Sequence, residues 1–467
     1  MRASKVFLLL SILLFGGFLQ AAWTVRNQVA FSPLGCRVLG GRFWGDSWSF
    51  ESEARFDAPP SSAVEVRNAF GAVRVSKGQP GEVKVILRKV VWAGSEPAAR
   101  DFASGLQIVG QREGDRLLLA TNRDQFENGH QDRAGFETHL EIQVPPGTAL
   151  KVRNQHGVVE ASDLEQADLA TSFESLRLTR VAKDATVEVR HGDASAQEIG
   201  GSLNLSARHG DAEVKGVVGR ATLDVQHGNT SVSQVGGLSL TSAHGGVQIE
   251  DCRGELDVTA EHGDVTARGV EGRAQVATSF GDLDLERLKG EVRAKAQNGE
   301  VSITDAKGPV FAEASFNDVK LRQVASSAEV TVTHGGASIE DIEGNLRVKA
   351  SGNDVDLSNV RGAIEVEVER GGASILPGGA LTKPVAVKTT FGGIVLQVPA
   401  GSRFDLEVSS LRGEIGVDAQ GFTVSESGAG HFKGQLGGGG SLVKLASENG
   451  DVRVEAATQE ARKQVKH

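Results

Sequence analysis

Apolar and polar residues alternate in short runs, and the runs come in pairs. In 273–290, RAQVATSFGDLDLERLKG, the residues Ala274, Val276, Thr278 and Phe280 alternate, Gly281 interrupts, Leu283 and Leu285 resume, Leu288 follows and Gly290 closes the unit. The next stretch repeats the plan with Val292, Ala294, Ala296, Asn298, Gly299, Val301, Ile303, Ala306 and Gly308. Strict alternation predicts a strand with one face turned inward, and the glycines predict corners. Each unit therefore reads as two short strands and two turns.

Aligned on the recurrent His-Gly or Phe-Gly position, the units give His156, Phe173, His191, His209, His227, His244, His262, Phe280, Asn298, Phe316, His334, Gly352 and Arg370, at steps of 17 or 18 residues; Phe391 follows after 21. A period this regular is the mark of a solenoid. One unit cannot bury its inner face alone, but stacked units can, each pairing with the coils above and below. The fold class is all-β: a single-stranded parallel β-solenoid, or β-helix, of about fourteen 18-residue two-strand coils, with a β-rich N-terminal cap containing one helix. At about 4.8 Å per coil the rod is on the order of 65 Å long.

The alternation also assigns a role to the ring column. His227 continues the inward phase of Leu223 and Val225, and Phe280, Phe316 and Phe391 take the same slot. A phenylalanine cannot replace a metal ligand in register, so the column reads as a structural corner ladder of stacked, partly buried rings. The other reading is a metal ladder along His191, His209, His227, His244 and His262, since imidazoles one coil apart are candidate ligands for a soft cation. A second column follows the corner glycine: Asp193, Asp211, Asp264, Asp282, Glu300, Asp318, Asp354 and Asp451. These are either solvated turn residues or calcium ligands.

The ends differ from the middle. Arg2 and Lys5 precede the apolar run 6–23, so 1–23 reads as a signal peptide or an N-terminal membrane anchor, and the rest as exported. Residues 24–54 hold a tryptophan-containing segment, FWGDSWSF at 43–50, read as a packed hairpin or as a contact with membrane or partner. Residues 55–148 form the cap, where Ser95 and Pro97 mark a helix start over 95–106 and strands LQIVG and RLLLAT follow. Repeats occupy 149–394, a C-terminal repeat module 395–456, and a polar tail 457–467.

Composition narrows the partners. The chain has 467 residues, 59 of them glycine, no tyrosine, and a net charge of −10, which argues against nucleic acid. Cys36 and Cys252 are the two cysteines, too far apart in sequence to imply a disulfide; Cys252 aligns with inward Val270 and Leu288. No nucleophile elbow, phosphate loop or zinc signature is present, and no cofactor is expected.

The stretches VEVRNAFGAVRV (64–75), IQVPPGTALKVRNQHGVVEA (142–161), the recurrent HGDV and FGDL units, and GGGGSLVKLASENGDVRV (437–454) resemble the bacterial putative-adhesin β-strand repeat family of the DUF4097 type. The resemblance spans about 55–456. It implies an exported, β-helical, non-enzymatic surface or envelope protein, and it brings no catalytic motif to carry over. Three functions compete: a noncatalytic adhesin-like interaction scaffold with an unidentified protein or glycan surface ligand; a membrane-anchored envelope-stress sensing module, favoured by an uncleaved 6–23; and a polysaccharide-binding or polysaccharide-cleaving β-helix. The last needs carboxylates in a loop-walled groove, and the units from 167 to 372 carry almost no insertions.

Overall fold

The computed structural model describes residues 46–59, 63–127, 135–419 and 421–457. The expected signal or anchor, Cys36 and residues 458–467 of the tail lie outside the described residues. The described chain is a parallel β-solenoid of about fourteen turns whose strands join one continuous ladder.

One coil shows the construction. Strand β18 (Leu256–His262) points Leu256, Val258 and Ala260 inward, and β19 (Val265–Val270) points Val265, Ala267 and Val270 inward. The next coil, β20 (Ala274–Phe280) and β21 (Leu283–Leu288), lies in register on top: Leu256 pairs with Ala274, Val258 with Val276, Val265 with Leu283 and Val270 with Leu288. First strands thus form one parallel sheet and second strands another, with an apolar core between them running the length of the rod. Cys252 fills one inward position between Val235 and Val270, and burial pushes its thiol pKa up. Outside, ion pairs link consecutive coils, as between Lys289 and Glu271 at 2.7 Å and Arg347 and Glu365 at 2.8 Å. Exposed pairs of this kind add little stability singly.

Both ends reverse the order of coils. At the N-terminal end, β2 (Ala63–Phe70) and β3 (Val73–Lys77) pair with β8 (Ala149–His156) and β9 (Val159–Leu164) on one side. On the other side they pair with β6 (Arg116–Thr121) and β7 (Gly135–Val144). The outermost coil is therefore later in sequence than the one it covers. Its edges are closed by antiparallel strands: β5 (Ile108–Glu113) on β6, and β4 (Glu82–Ala93) on β7 with β1 (Asp46–Asp57) beyond. At the C-terminal end, β34 (Phe404–Ser410) and β35 (Ile415–Val417) lie outside β38 (Ser441–Asn449) and β39 (Val452–Ala456). There β37 (His431–Leu436) closes the β34 edge. Antiparallel covers shield the row of unpaired backbone groups that an open solenoid end would present.

The expected helix is α1 (Glu96–Gly105), with Ser95 at its N-cap and proline in its first turn; the Ser95 side chain makes no capping hydrogen bond. A second, short helix, α2 (Asp124–Glu127), adds to the one helix expected in the cap. Trp48 lies on β1 opposite Val91 and packs on the small cluster of Val91, Ala93, Ala99 and Ala103 under α1; this part of 24–54 is packed, but as an edge strand and not a hairpin, because its partner β4 follows only after β2 and β3. Strand β1 runs unbroken through the expected boundary at 54–55. Among the described residues, no helix is long and apolar enough to cross a membrane.

Candidate interaction ridge

The corner after each first strand is built from three columns. The glycine column comes first. Gly228 has φ +148°, and a Cβ there would sit 2.0 Å from the Gly210 carbonyl oxygen one coil below. Only glycine lets the coils stack this closely while turning. Its N–H donates to the His244 carbonyl at 3.0 Å, locking the corner to the coil above.

The ring column comes next. Phe70, His156, Phe173, His191, His209, His227, His244, His262 and Phe280 stack in one unbroken pile, with neighbouring centroids 4.4–5.1 Å apart. Planes are within 12° of parallel except between His244 and His262, at 29°. Asn298 then interrupts the pile and donates its amide to the Ser279 carbonyl at 3.1 Å. Phe316 and His334 form a separate stacked pair at 5.0 Å. Gly352 carries no ring, and Phe391 lies in register with Arg370 below and Asn449 above. The N-terminal end of the pile is covered by Arg123, whose guanidinium carbon lies 4.5 Å from the Phe70 centroid and 4.1 Å from that of Phe136.

The structure corrects the inward placement of these rings. Phe280 is 49% and Phe316 53% exposed, and all five histidines from His191 to His262 are exposed. The last inward residue of the strand is Val225; Gln226 and His227 both face out. The backbone turns at the corner before the alternation can return inward, so each ring rests face to face on its neighbours and shows its edge to solvent. The pile is a ridge on the outside of the rod.

This geometry bears on the metal reading. A metal must lie in the plane of each imidazole at about 2.0–2.1 Å from its nitrogen. Near-parallel stacked rings with centroids 4.8–5.0 Å apart cannot share one ion unless a rung leaves the pile. Among the described residues, no group of three or more His, Cys, Asp or Glu side chains is placed to hold a metal ion.

The acidic column completes the corner. Asp193 Oδ1 accepts the backbone N–H of Asp211 at 3.0 Å, and Asp211 Oδ1 that of Asn229 at 2.8 Å. The chain of contacts goes on from Asn229 to Gly246 at 3.1 Å, Asp264 to Asp282 at 2.9 Å, Asp282 to Glu300 at 2.8 Å, Asp318 to Gly336 and Asp354 to Gly372, both at 2.7 Å. Asp451 does the same for Glu414 at 2.9 Å across the reversed C-terminal coil. Each of these side chains thus holds the same slot of the adjacent coil; Glu300 is the exception and pairs with Lys320 at 2.8 Å. The column is a hydrogen-bonded ladder, a role that the sequence reading, divided between turn residues and calcium ligands, missed.

A further column was not anticipated. Twelve residues, one per coil, adopt the left-handed conformation just before the last inward residue of the second strand. Ten are not glycine, among them Asp163, Arg180, Glu198, Arg287 and Asn359, with φ between 54° and 61°; the other two are Gly216 and Gly269. The visible signal was the three-residue step from Leu285 to Leu288, which leaves two residues outside in a row. Within this column Arg180 forks onto Asp163 at 2.7 and 2.8 Å and draws that carboxyl down to about 2.

The sequence pattern of the Toastrack DUF4097 family matches residues 106–332 and again 291–455. Among solved structures, the chain is similar to a putative cell adhesion protein from Clostridium sporogenes ATCC 15579, at 9% identity and a TM-score of 0.14, over 87% of this chain and 100% of that one. No curated protein matches it.

Proposed function

The chain belongs to the Toastrack DUF4097 family, and on that premise we propose that it is a noncatalytic interaction scaffold of the cell envelope or surface, presenting a stiff rod to a protein or glycan ligand. The observation that carries the reading is the corner itself. The repeated side chains that look most like chemistry are spent on architecture: the rings on one another and the carboxylates on backbone amides of the next coil. Carboxylates held in this way are not placed as an acid and base pair across a substrate. The coils between Gln166 and Pro377 carry no long loop that would wall a cleft. Export rests on Arg2, Lys5 and the apolar run at 6–23. If 6–23 stays attached, the same rod serves as the outer part of an anchored sensing module.

The test is fractionation of cells expressing the full chain, followed by a glycan and envelope-protein binding screen with the purified protein. Recovery in the envelope or medium, with saturable binding and no change in the ligand, is the expected result. Full-length protein retained in the cytoplasm, or release of shortened glycans, would overturn it.

A further inference from the structure

We propose that the ring ridge is a self-association surface on which a second copy of this chain docks side by side and in parallel, rung against rung. The proposal goes beyond the scaffold reading and is independent of it: a rod that stayed monomeric would sink the pair and leave the scaffold standing.

The first observation is where the exposed apolar groups lie. Nine large hydrophobic side chains are strongly exposed among the described residues, and four of them, Phe173, Phe280, Phe316 and Phe391, stand in this one column. Aromatic groups lined up along one edge of the rod mark a contact surface, whereas the other five are scattered singly.

The second is the charge on the two flanks. One side of the ridge carries the residue before each ring: Arg190, Arg208, Gln226 and Glu261. The other side carries Asp193, Asp211, Asn229 and Asp264. Arg208 makes no hydrogen bond or ion pair among the described residues, and Asp193 and Asp211 are bonded to amides but pair with no cation. Arg208, Asp193 and Asp211 therefore have no partner of opposite charge among the described residues, whereas Arg190 already has Glu188 at 3.4 Å, an exposed pair that costs little to exchange.

A two-fold axis parallel to the rod brings each rung to its own copy and exchanges the flanks. Arg190 then faces the partner's Asp193, Arg208 the partner's Asp211, and Gln226 the partner's Asn229. Only Glu261, against the partner's Asp264, meets like charge. An antiparallel pair centred on His227 sets Arg190 against the partner's Glu261, but it also sets Asp193 against the partner's Asp264 and leaves Arg208 opposite the partner's Ala243. Charge complementarity selects the parallel pair. The rungs fit it as well. Phenylalanine meets phenylalanine, and a neutral imidazole has one donor and one acceptor nitrogen, so identical histidines are complementary.

Size sets the strength. From His156 to His334 the ridge runs ten coil steps, roughly 48 Å. At a width of about 12 Å, two copies would cover roughly 1,200 Å² in total, the lower limit for a specific interface. A flat, polar interface at this limit should form a weak and reversible pair.

Sedimentation equilibrium of the full chain across a wide concentration range should show a monomer and a dimer. Arg208→Glu should weaken the dimer about tenfold, and Lys388→Glu, on a strand face, should leave it unchanged. Orientation is read by cysteine cross-linking in a Cys36→Ser background, where buried Cys252 stays inert. His191→Cys alone should oxidise to a covalent dimer much faster than Asn204→Cys on the strand face. Cross-linking only in a mixture of His191→Cys and His262→Cys would show an antiparallel pair and overturn the proposal. So would a mass that stays monomeric at every concentration, or a dimer equally sensitive to Arg208→Glu and Lys388→Glu.

Discussion

Asp211 accepts the backbone N–H of Asn229 through Oδ1 at 2.8 Å, and Asn229 in turn accepts that of Gly246 at 3.1 Å. The slot therefore works with either a carboxylate or an amide oxygen, one coil after another. Asp211→Asn should change stability little, whereas Asp211→Ala should cost about 1 kcal/mol by leaving the Asn229 amide without its acceptor. Urea unfolding of the two variants measures this. The same proteins should melt at unchanged temperature when calcium is added; a calcium-dependent rise in the wild type that Asp211→Ala lacks would return the column to the ion-binding reading.

Gly228 and Gly379 separate the corner from ordinary turns. A methyl group at Gly228 meets the Gly210 carbonyl at 2.0 Å in a backbone conformation closed to alanine, whereas nothing lies within 4 Å of one at Gly379. Gly228→Ala is expected to cost about 3 kcal/mol or more, and Gly379→Ala less than about 0.5 kcal/mol in either direction. Equal effects in chemical denaturation would mean that close stacking at the corner does not limit stability.

His227 has His209 on one face and His244 on the other, at 5.0 and 4.8 Å. His227→Phe keeps both stacking contacts and should fall within about 1 kcal/mol of the wild type. His227→Asp loses both and should cost about 1–2 kcal/mol, a loss of ring contacts and not of burial, because the slot is exposed. Thermal melts with and without zinc or nickel extend the test. A metal-dependent rise in the wild type that is absent from His227→Phe would show that the rungs can leave the pile to bind an ion.

These corners also show what the residues made legible. Alternation such as Leu256, Val258, Ala260 placed the core, because burial follows the pleat directly. The period placed the stacking, because Leu256, Ala274 and Val292 must meet if each coil is one repeat. The same logic failed at His227, where the alternation is carried one step past Val225 and the backbone has already turned outward. It was silent at both ends as well. The strands β6 and β7 alternate just as a coil in the middle does, and nothing local says that they lie outside β2 and β3. That order comes from which edge remains open, a long-range property.

Asp163 and Arg180 give the rod an acid-sensitive link. The hydrogen bonds from Arg180 hold the Asp163 carboxyl at about 2, below its ordinary value of 3.8. A depressed acid stabilises the fold above its unfolded value and loses that contribution as pH falls from about 4 through about 2. Both side chains are partly exposed, so the effect is small. In melts at neutral pH, Arg180→Gln should be slightly less stable than the wild type, and the gap should narrow below about pH 4 and close only once the pH is below about 2. A gap that is the same at every pH would mean that the guanidinium acts through packing alone.

Deleting one whole coil tests the solenoid at its root. Removal of 273–290 takes out β20 and β21 together and joins Gly272 to Glu291. Leu256 would then pair with Val292 and Val265 with Val301, apolar on apolar in the register already used, and Gly290 is replaced at its corner by Gly272. Since each coil touches only its neighbours, the shorter rod should fold, with a melting temperature within a few degrees of the full chain. Removal of 273–281 has the opposite consequence. It takes out β20 but leaves β21, so one sheet loses a strand where the other keeps it, and β18 must reach across a gap of roughly 9.6 Å to find the strand Val292–Asn298. That variant should be unfolded or aggregated. Circular dichroism and analytical ultracentrifugation distinguish the two, and equal damage from both deletions would show that the coils are not interchangeable units.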